Sequence, residues 1–249
     1  MEIYINQRQK SYSMKLSIII PVYNECNTIG KLLSIVESVK IKYAEKEIII
    51  VDDFSTDGTR EKLLKLKIKK IKLLFHDKNR GKGAAIKTGL GQATGEIIIF
   101  QDADLEYDPN DYGKLIQPIV DGRADAVYGS RFLGKDRTFN RNYKKFLPFN
   151  YYGNKLLTLA TNILYNSRLT DMDTCYTVFR SDVIKSLKLK SDGFEITPEI
   201  TAKAFKKKIR IQEVPVNYSP RSHLAGKKLN FWKDGVKAFY CLLKYRFSN

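Results

Sequence analysis

Two short apolar runs, Ile48-Ile49-Ile50-Val51 and Ile97-Ile98-Ile99-Phe100, each run into acids: Asp52-Asp53 after the first, Asp102 and Asp104 after the second. Unbroken β-branched runs of this length read as strands buried on both faces, the signature of a parallel sheet covered by helices on either side. In such sheets ligands sit beyond the carboxyl ends of the strands. Both acidic clusters are therefore expected to face one crevice, and two carboxylate groups there point to a metal and a diphosphate.

The surrounding pattern agrees. Apolar runs at 16–22, 47–51, 71–75 and 96–101 alternate with segments of helical period at 28–42, 59–67 and 84–93, a βαβ series that right-handed crossovers would lay into one mostly parallel sheet. A further short strand is predicted at 124–129, a helix from Phe149 to Tyr165, and a strand from Arg210 to Tyr218. Thr197-Pro198-Glu199 predicts the start of a helix through Lys206, with Thr197 as cap, Pro198 at the first helical position and Glu199 in the first turn. From Leu229 to Phe247 apolar residues recur at Leu229, Trp232, Val236, Phe239 and Leu243 between lysines, giving a basic amphipathic helix. Residues 132–146 carry basic and aromatic side chains without period and read as a mobile loop. Met14 directly precedes the first strand, so residues 1–13 are expected to form a disordered leader, residues 14–228 one domain, and 229–249 the terminal helix.

With 44 Lys+Arg against 27 Asp+Glu the net charge is +17, which favours an anionic partner: nucleic acid, an acidic membrane leaflet or a phosphorylated substrate. Cys26, Cys175 and Cys241 form no paired motif, so neither a disulfide framework nor a zinc site is expected, and the chain reads as reduced and cytosolic. No stretch approaches the ~18 apolar residues that span a bilayer, so membrane contact is expected to be peripheral.

Hard divalent cations take oxygen ligands, and Mg²⁺ commonly uses one or two carboxylates while substrate phosphates complete its shell. Asp102-Ala103-Asp104-Leu105-Glu106 suits that role, although a D-x-D alone is weak and could cap the helix announced by Asp108-Pro109. Asp52 and Asp53 must be satisfied by backbone donors of the next turn or by a nucleotide, and both are expected. Asp57 reads as the cap of the helix near Thr59. Asn79-Arg80-Gly81-Lys82-Gly83 lacks the spacing of a P-loop or a dinucleotide fingerprint, so kinase-like ATPase and dehydrogenase readings are disfavoured. Arg131, Arg180 and the 221–227 segment supply cations at further element ends, while His76 and His223 show no triad or metal spacing.

Ile20-Pro21-Val22-Tyr23-Asn24-Glu25, Val51-Asp52-Asp53, Asn79 with Gly81-Lys82-Gly83, Asp102-Ala103-Asp104-Leu105, Gly129-Ser130-Arg131, and Arg221 with Lys227-Lys228-Leu229 together resemble glycosyltransferase family 2, in its polyprenyl-phosphate sugar transferase branch. The resemblance implies a GT-A type fold and a nucleotide-sugar donor, GDP-mannose or UDP-glucose. It also implies Mg²⁺ or Mn²⁺ held by Asp104 and Glu106, with Asp102 close to the nucleotide sugar. Pro21, Tyr23, Glu25, Val51 and Asp53 would hold the nucleotide, Ala103 would lie against it, and Arg131, Arg221 and Lys227 would bind phosphates. Asp104 and Arg131 would be catalytic. The acceptor implied is a polyprenyl phosphate, with peripheral contact to an anionic membrane and no nucleic acid. The rival readings are a family 2 enzyme acting on a saccharide or protein hydroxyl, which would need a base such as Asp171 or Asp173, and a non-enzymatic nucleic-acid-binding module.

Overall fold

The computed structural model describes residues 14–42, 44–66, 71–134, 148–221 and 231–248. The expected leader, most of the expected mobile loop, Lys227 and Leu229 lie outside them. In chain order the elements are β1 Met14–Val22, α1 Ile29–Ser38, β2 Ala44–Asp52, α2 Thr59–Leu64, β3 Ile71–Phe75, α3 Lys82–Gln92 and β4 Ile97–Phe100. There follow α4 Tyr112–Val120, β5 Ala126–Ser130, α5 Pro148–Tyr165, β6 Thr177–Arg180, α6 Ser181–Ser186, α7 Ile196–Lys206, β7 Ile211–Pro215 and α8 Phe231–Phe247.

The strands form one sheet in the order β3-β2-β1-β4-β6-β5-β7. β1 pairs in parallel with β2 and β4, and β5 with β7, whereas β6 runs antiparallel to both its neighbours. The expected series of parallel strands is thus found, with one reversed strand that the sequence reading did not contain. Thr177-Val178-Phe179-Arg180 is short and follows an aperiodic stretch, so periodicity had nothing to report there.

Both sheet faces are covered, which is why the runs lack polar alternation. Leu16, Ile18, Ile20 and Val22 of β1 enter one apolar cluster with α1 and α4, while Ile19 enters the other with Ala85, Ile98, Phe179, Ile200 and Leu242. Fully burying each such Ile or Leu contributes roughly 1.5–3 kcal/mol, so the central strands anchor whatever their ends carry.

The reversed strand decides what reaches the functional edge. The loops after β1, β2, β4, β5 and β7 leave from one edge of the sheet, and β6 begins there because it runs the other way. Residues 171–176 therefore arrive at that edge, and Arg180 departs from the opposite one. Arg180, the cation expected at an element end, pairs with Asp182 and Asp125 beside the start of β4, away from the acidic edge.

Candidate active site

Three loops at this edge are tied together by their own polar groups. Asn24, with φ 48°, donates its N–H to Ser55 Oγ at 2.9 Å and accepts from Thr56 N at 2.8 Å, and Glu25 N donates to Thr59 Oγ1 at 2.9 Å. Asp57 accepts from Thr59 N at 3.0 Å and Cys26 N at 3.0 Å, so it pins the start of α2 as expected. Leu105 has φ 63°, a left-handed turn that L residues adopt at some cost, and it folds Glu106 back so that its N–H meets Asp104 Oδ1 at 3.1 Å.

Asp52 and Asp53 are satisfied from within. Asp52 is fully buried and accepts from Arg60 Nε at 2.7 Å. Asp53 Oδ1 accepts from Arg80 N at 2.8 Å and meets His76 Nδ1 at 2.7 Å, while its Oδ2 accepts from Gly81 N at 2.7 Å. The carboxylate thus holds the loop that opens α3. Gly81 is required there: its φ is 95°, and an added Cβ would lie 2.4 Å from the Asp192 carbonyl oxygen. Gly81→Ala is expected to lower stability by more than about 1 kcal/mol, read as a drop in Tm.

These loops enclose a cavity of about 790 Å³. Pro21, Tyr23, Glu25, Asp53, Asp102, Ala103, Asp104, Glu106, Arg131 and Arg221 all line it, so the two acidic clusters do share one crevice. Val51 is fully buried inside β2 instead, and Lys227 lies outside the described residues. Several lining residues escaped the sequence reading. Lys82 was seen only as part of a glycine-rich loop. Asp173 was weighed only as a weak base candidate, and Cys175 sits in a stretch without period. The apolar wall of Leu156, Leu157, Ala160, Val236 and Phe239 comes from α5 and α8, whose meeting no local pattern could announce.

The acids fall into two groups. Arg221 donates to Glu25 Oε2 and Oε1, each at 3.3 Å, and to Asp104 Oδ2 at 3.1 Å, and its Nε lies 3.7 Å from Glu106 Oε1. That Nε is buried with no hydrogen-bond partner among the described residues. Glu106 also straps the chain beyond β7, accepting from Tyr218 Oη at 2.7 Å and Arg221 N at 2.9 Å. Asp102, by contrast, turns to Lys82 Nζ at 2.7 Å and accepts from the Cys175 thiol. Arg131 is held by Asp171 through Nε and Nη2, both at 2.7 Å, and Nη2 also reaches the Asp173 carbonyl at 3.0 Å.

Burial, reinforced by the negative fields of Asp102 and Glu106 and opposed by Arg221, raises the Asp104 carboxyl to about 7. Burial likewise raises Asp173 to about 6 against the pull of Arg131. A buried acid crowded by two others gains most from a cation of higher charge than a shared guanidinium. The hard oxygen donors at Asp104 and Glu106 fit Mg²⁺ or Mn²⁺. Among the described residues no three acidic, histidine or cysteine side chains form a ready-made cage. One or two carboxylates suffice where phosphates supply the remaining ligands.

The family model described as Glycosyl transferase family 2 matches residues 17–188, and the chain belongs to that family. Among its relatives, a dolichol-phosphate mannosyltransferase of Pyrococcus furiosus is 30% identical over 239 residues, covering 93% of this chain and 64% of that protein. A dodecaprenyl-phosphate galacturonate synthase of Rhizobium johnstonii is 28% identical over 219 residues, covering 86% and 62%. The chain spans about half to two thirds of the length of the first curated relatives it matches. A crystal structure of glucosyl-3-phosphoglycerate synthase from Mycobacterium tuberculosis, in complex with Mg²⁺ and UDP, superposes with a TM-score of 0.68. At 15% identity over 95% of this chain and 80% of that one, it establishes a common fold, the GT-A type that the family resemblance implied.

Proposed function

We propose that the protein transfers a hexose from a nucleotide sugar to the phosphate of a polyprenyl phosphate, with inversion at the anomeric carbon. The observation that carries this reading is one cavity lined both by the acids and cations of the strand-edge loops and by apolar residues of α5 and α8. The charged lining matches a nucleotide diphosphate and the apolar lining an isoprenoid phosphate.

A bound divalent cation would supply charge neutralisation for the departing diphosphate, with Asp104 and Glu106 holding it. Arg131, immobilised by Asp171, and Arg221, on the strap beyond β7, supply guanidinium forks suited to phosphate oxygens. Pro21, Tyr23, Glu25, Asp53 and Ala103 form the walls for the nucleotide. A phosphate monoester, with its second ionisation near pKa ~6, is already a nucleophilic anion at neutral pH and needs positioning more than a general base. NMR coupling constants of the lipid product should report a β-linked sugar when the donor is α-linked; retained configuration would overturn the inverting step.

Peripheral membrane contact is part of the same reading. α5 is amphipathic the wrong way round for a water-exposed helix: Asn154, Thr158 and Thr161 are buried, while Tyr152, Leu156, Leu159 and Ile163 are exposed. On α8 the expected Val236–Phe239 stripe faces outward, and Ala238, Cys241, Leu242 and Tyr245 pack on the domain instead. Among the described residues no helix is long and apolar enough to cross a membrane. An exposed apolar surface with the exposed Lys237 and Lys244 on the same helix α8 matches an anionic leaflet. Flotation with anionic liposomes is expected for the wild type and should be lost in Ile163→Glu/Tyr240→Glu; unchanged flotation would refute the contact.

A further inference from the structure

Behind the loop that opens α3 stands a second loop, residues 187–195 between α6 and α7, and the two meet through bare backbone. An added Cβ at Gly81 would lie 2.4 Å from the Asp192 carbonyl oxygen and one at Gly83 2.5 Å from the Ser191 carbonyl oxygen, while Ala84 N donates to the Asp192 carbonyl at 3.0 Å. Chain packed this closely on both sides of Lys82 moves only together. Lys82 Nζ reaches Asp102 at 2.7 Å, and Asp53, Asn79, Gly81, Lys82 and Asp102 all line the cavity. The second loop is therefore the backing of a cavity wall.

One carboxylate holds that backing in place. Glu199, in the first turn of α7, is fully buried: Oε1 accepts from Lys190 N at 2.8 Å, Oε2 accepts from Ser191 N at 2.7 Å, and Lys203 pairs with it one turn further on. Burial alone would raise this carboxyl, but the bonds from Lys203, Ser191 and Lys190 outweigh it and hold the group at about 2, so it is ionised at neutral pH. Lys203 Nζ in turn lies 4.7 Å from the centroid of the buried Tyr245 ring of α8, which fixes the counter-ion from behind. Two successive backbone N–H groups turned to one side need two acceptor oxygens, and a carboxylate supplies both.

Glu199 is absent from the cavity lining, so it touches no substrate. We infer that Glu199 is a positioning residue: through the backbone of residues 190–192 it sets the turn Gly81-Lys82-Gly83 that faces the nucleotide. The inference rests on the nucleotide-sugar reading above. A second clamp acts on the same loop from α3 itself, where Lys87 Nζ donates to Asp192 Oδ1 at 2.6 Å and to the Lys190 carbonyl at 2.8 Å. Asp192 is largely exposed, so that clamp can be removed at little cost to the fold.

Isothermal titration of UDP and GDP with Mn²⁺ into the full chain tests this, because the fitted stoichiometry reports the folded fraction and the Kd reports the site. The variants are Glu199→Gln, Lys87→Met and Glu47→Gln. Glu47 is the control, a buried carboxylate towards the opposite edge of the sheet that accepts from Ser17 Oγ at 2.7 Å and Thr94 N at 3.0 Å. Its replacement should lower Tm and leave the Kd of whichever nucleotide binds within about twofold of wild type. Glu199→Gln presents one oxygen where two N–H groups point, and should weaken that nucleotide about tenfold. Lys87→Met should weaken it about threefold with Tm nearly unchanged. Exchange of the Ala84 amide without nucleotide should speed up about tenfold more in Glu199→Gln than in Glu47→Gln. A wild-type Kd in folded Glu199→Gln, or equal weakening by Glu199→Gln and Glu47→Gln, would overturn the assignment. Should Glu199→Gln fail to fold, an unchanged Kd and unchanged Ala84 exchange in Lys87→Met overturn it instead. If neither UDP nor GDP binds wild type, the nucleotide-sugar reading itself falls, whereas the Ala84 exchange still decides whether Glu199 holds the turn.

Discussion

Asp104→Asn is expected to give a protein that is more stable without ligand yet unable to couple Mn²⁺ to nucleotide binding. The folded-state carboxyl sits at about 7, above the ordinary carboxylate value, because burial and the neighbouring acids resist its ionisation. Linkage fixes the sign. Between the unfolded and folded pKa values the folded state binds more protons, so stability falls as pH rises through that window, and above pH 7 the full cost is present. Removing the charge relieves on the order of 2 kcal/mol at pH 8, seen as a raised Tm, while Arg221 keeps Glu25 and Glu106. The metal-holding role proposed for the residue requires the opposite state. Mn²⁺-dependent nucleotide affinity in the wild type should fall as pH drops below about 7, by up to about tenfold per unit, and transfer by the variant should drop by about 10³-fold or more. A variant that is less stable at pH 8, or that retains metal-dependent binding, would contradict the role given to Asp104.

Asp171→Ala should be the most damaging single change to the fold at this edge. Arg131 and Asp171 are both buried, and the carboxylate also accepts from Arg131 N at 2.9 Å, so truncation strips the guanidinium of two bonds and the loop of a third. Breaking a buried pair by removing one partner costs about 3–5 kcal/mol, because the remaining charge keeps its desolvation penalty. Chemical denaturation should show that loss. The double variant Arg131→Met/Asp171→Leu should recover a large part of it and remain inactive, since the fork for phosphate is gone. Equal stability of the single and double variants would mean that the pair is not what holds the loop.

The parts of this molecule readable in advance are those written in local chemistry. Ile48–Val51 and Ile97–Phe100 announce doubly covered strands through composition alone, and the acids that follow them mark the functional edge. Asp57 before Thr59 and Asp108 before Pro109 are short-range capping signals, and both appear as hydrogen bonds to backbone N–H groups. Thr197 shows the limit of such signals: the helix begins at Ile196, two residues before Pro198, with Glu195 in the cap position, and Glu199 turns out to accept from Lys190 N and Ser191 N across a loop. What stayed hidden depends on pairing at a distance. The reversed direction of β6 is set by its neighbours β4 and β5, and that reversal alone brings Asp173 and Cys175 to the cavity, sets Asp171 against Arg131, and turns Arg180 to the opposite edge. On α8 the visible stripe and the buried stripe are different, because its partners are α5 and α7: Tyr165 Oη donates to the Leu242 carbonyl at 2.7 Å, and Cys241 lies beneath α7's first residues.

The central claim is that one cavity brings a nucleotide sugar and a lipid phosphate together. Its most direct test offers purified protein with Mn²⁺ a radiolabelled donor, UDP-glucose or GDP-mannose, and three acceptors in parallel: a polyprenyl phosphate, the matching polyprenol and a soluble saccharide. Label should enter the organic phase with the phosphate alone and should disappear with Asp104→Asn. Label passing to the polyprenol or to the saccharide in preference to the lipid phosphate would contradict the account.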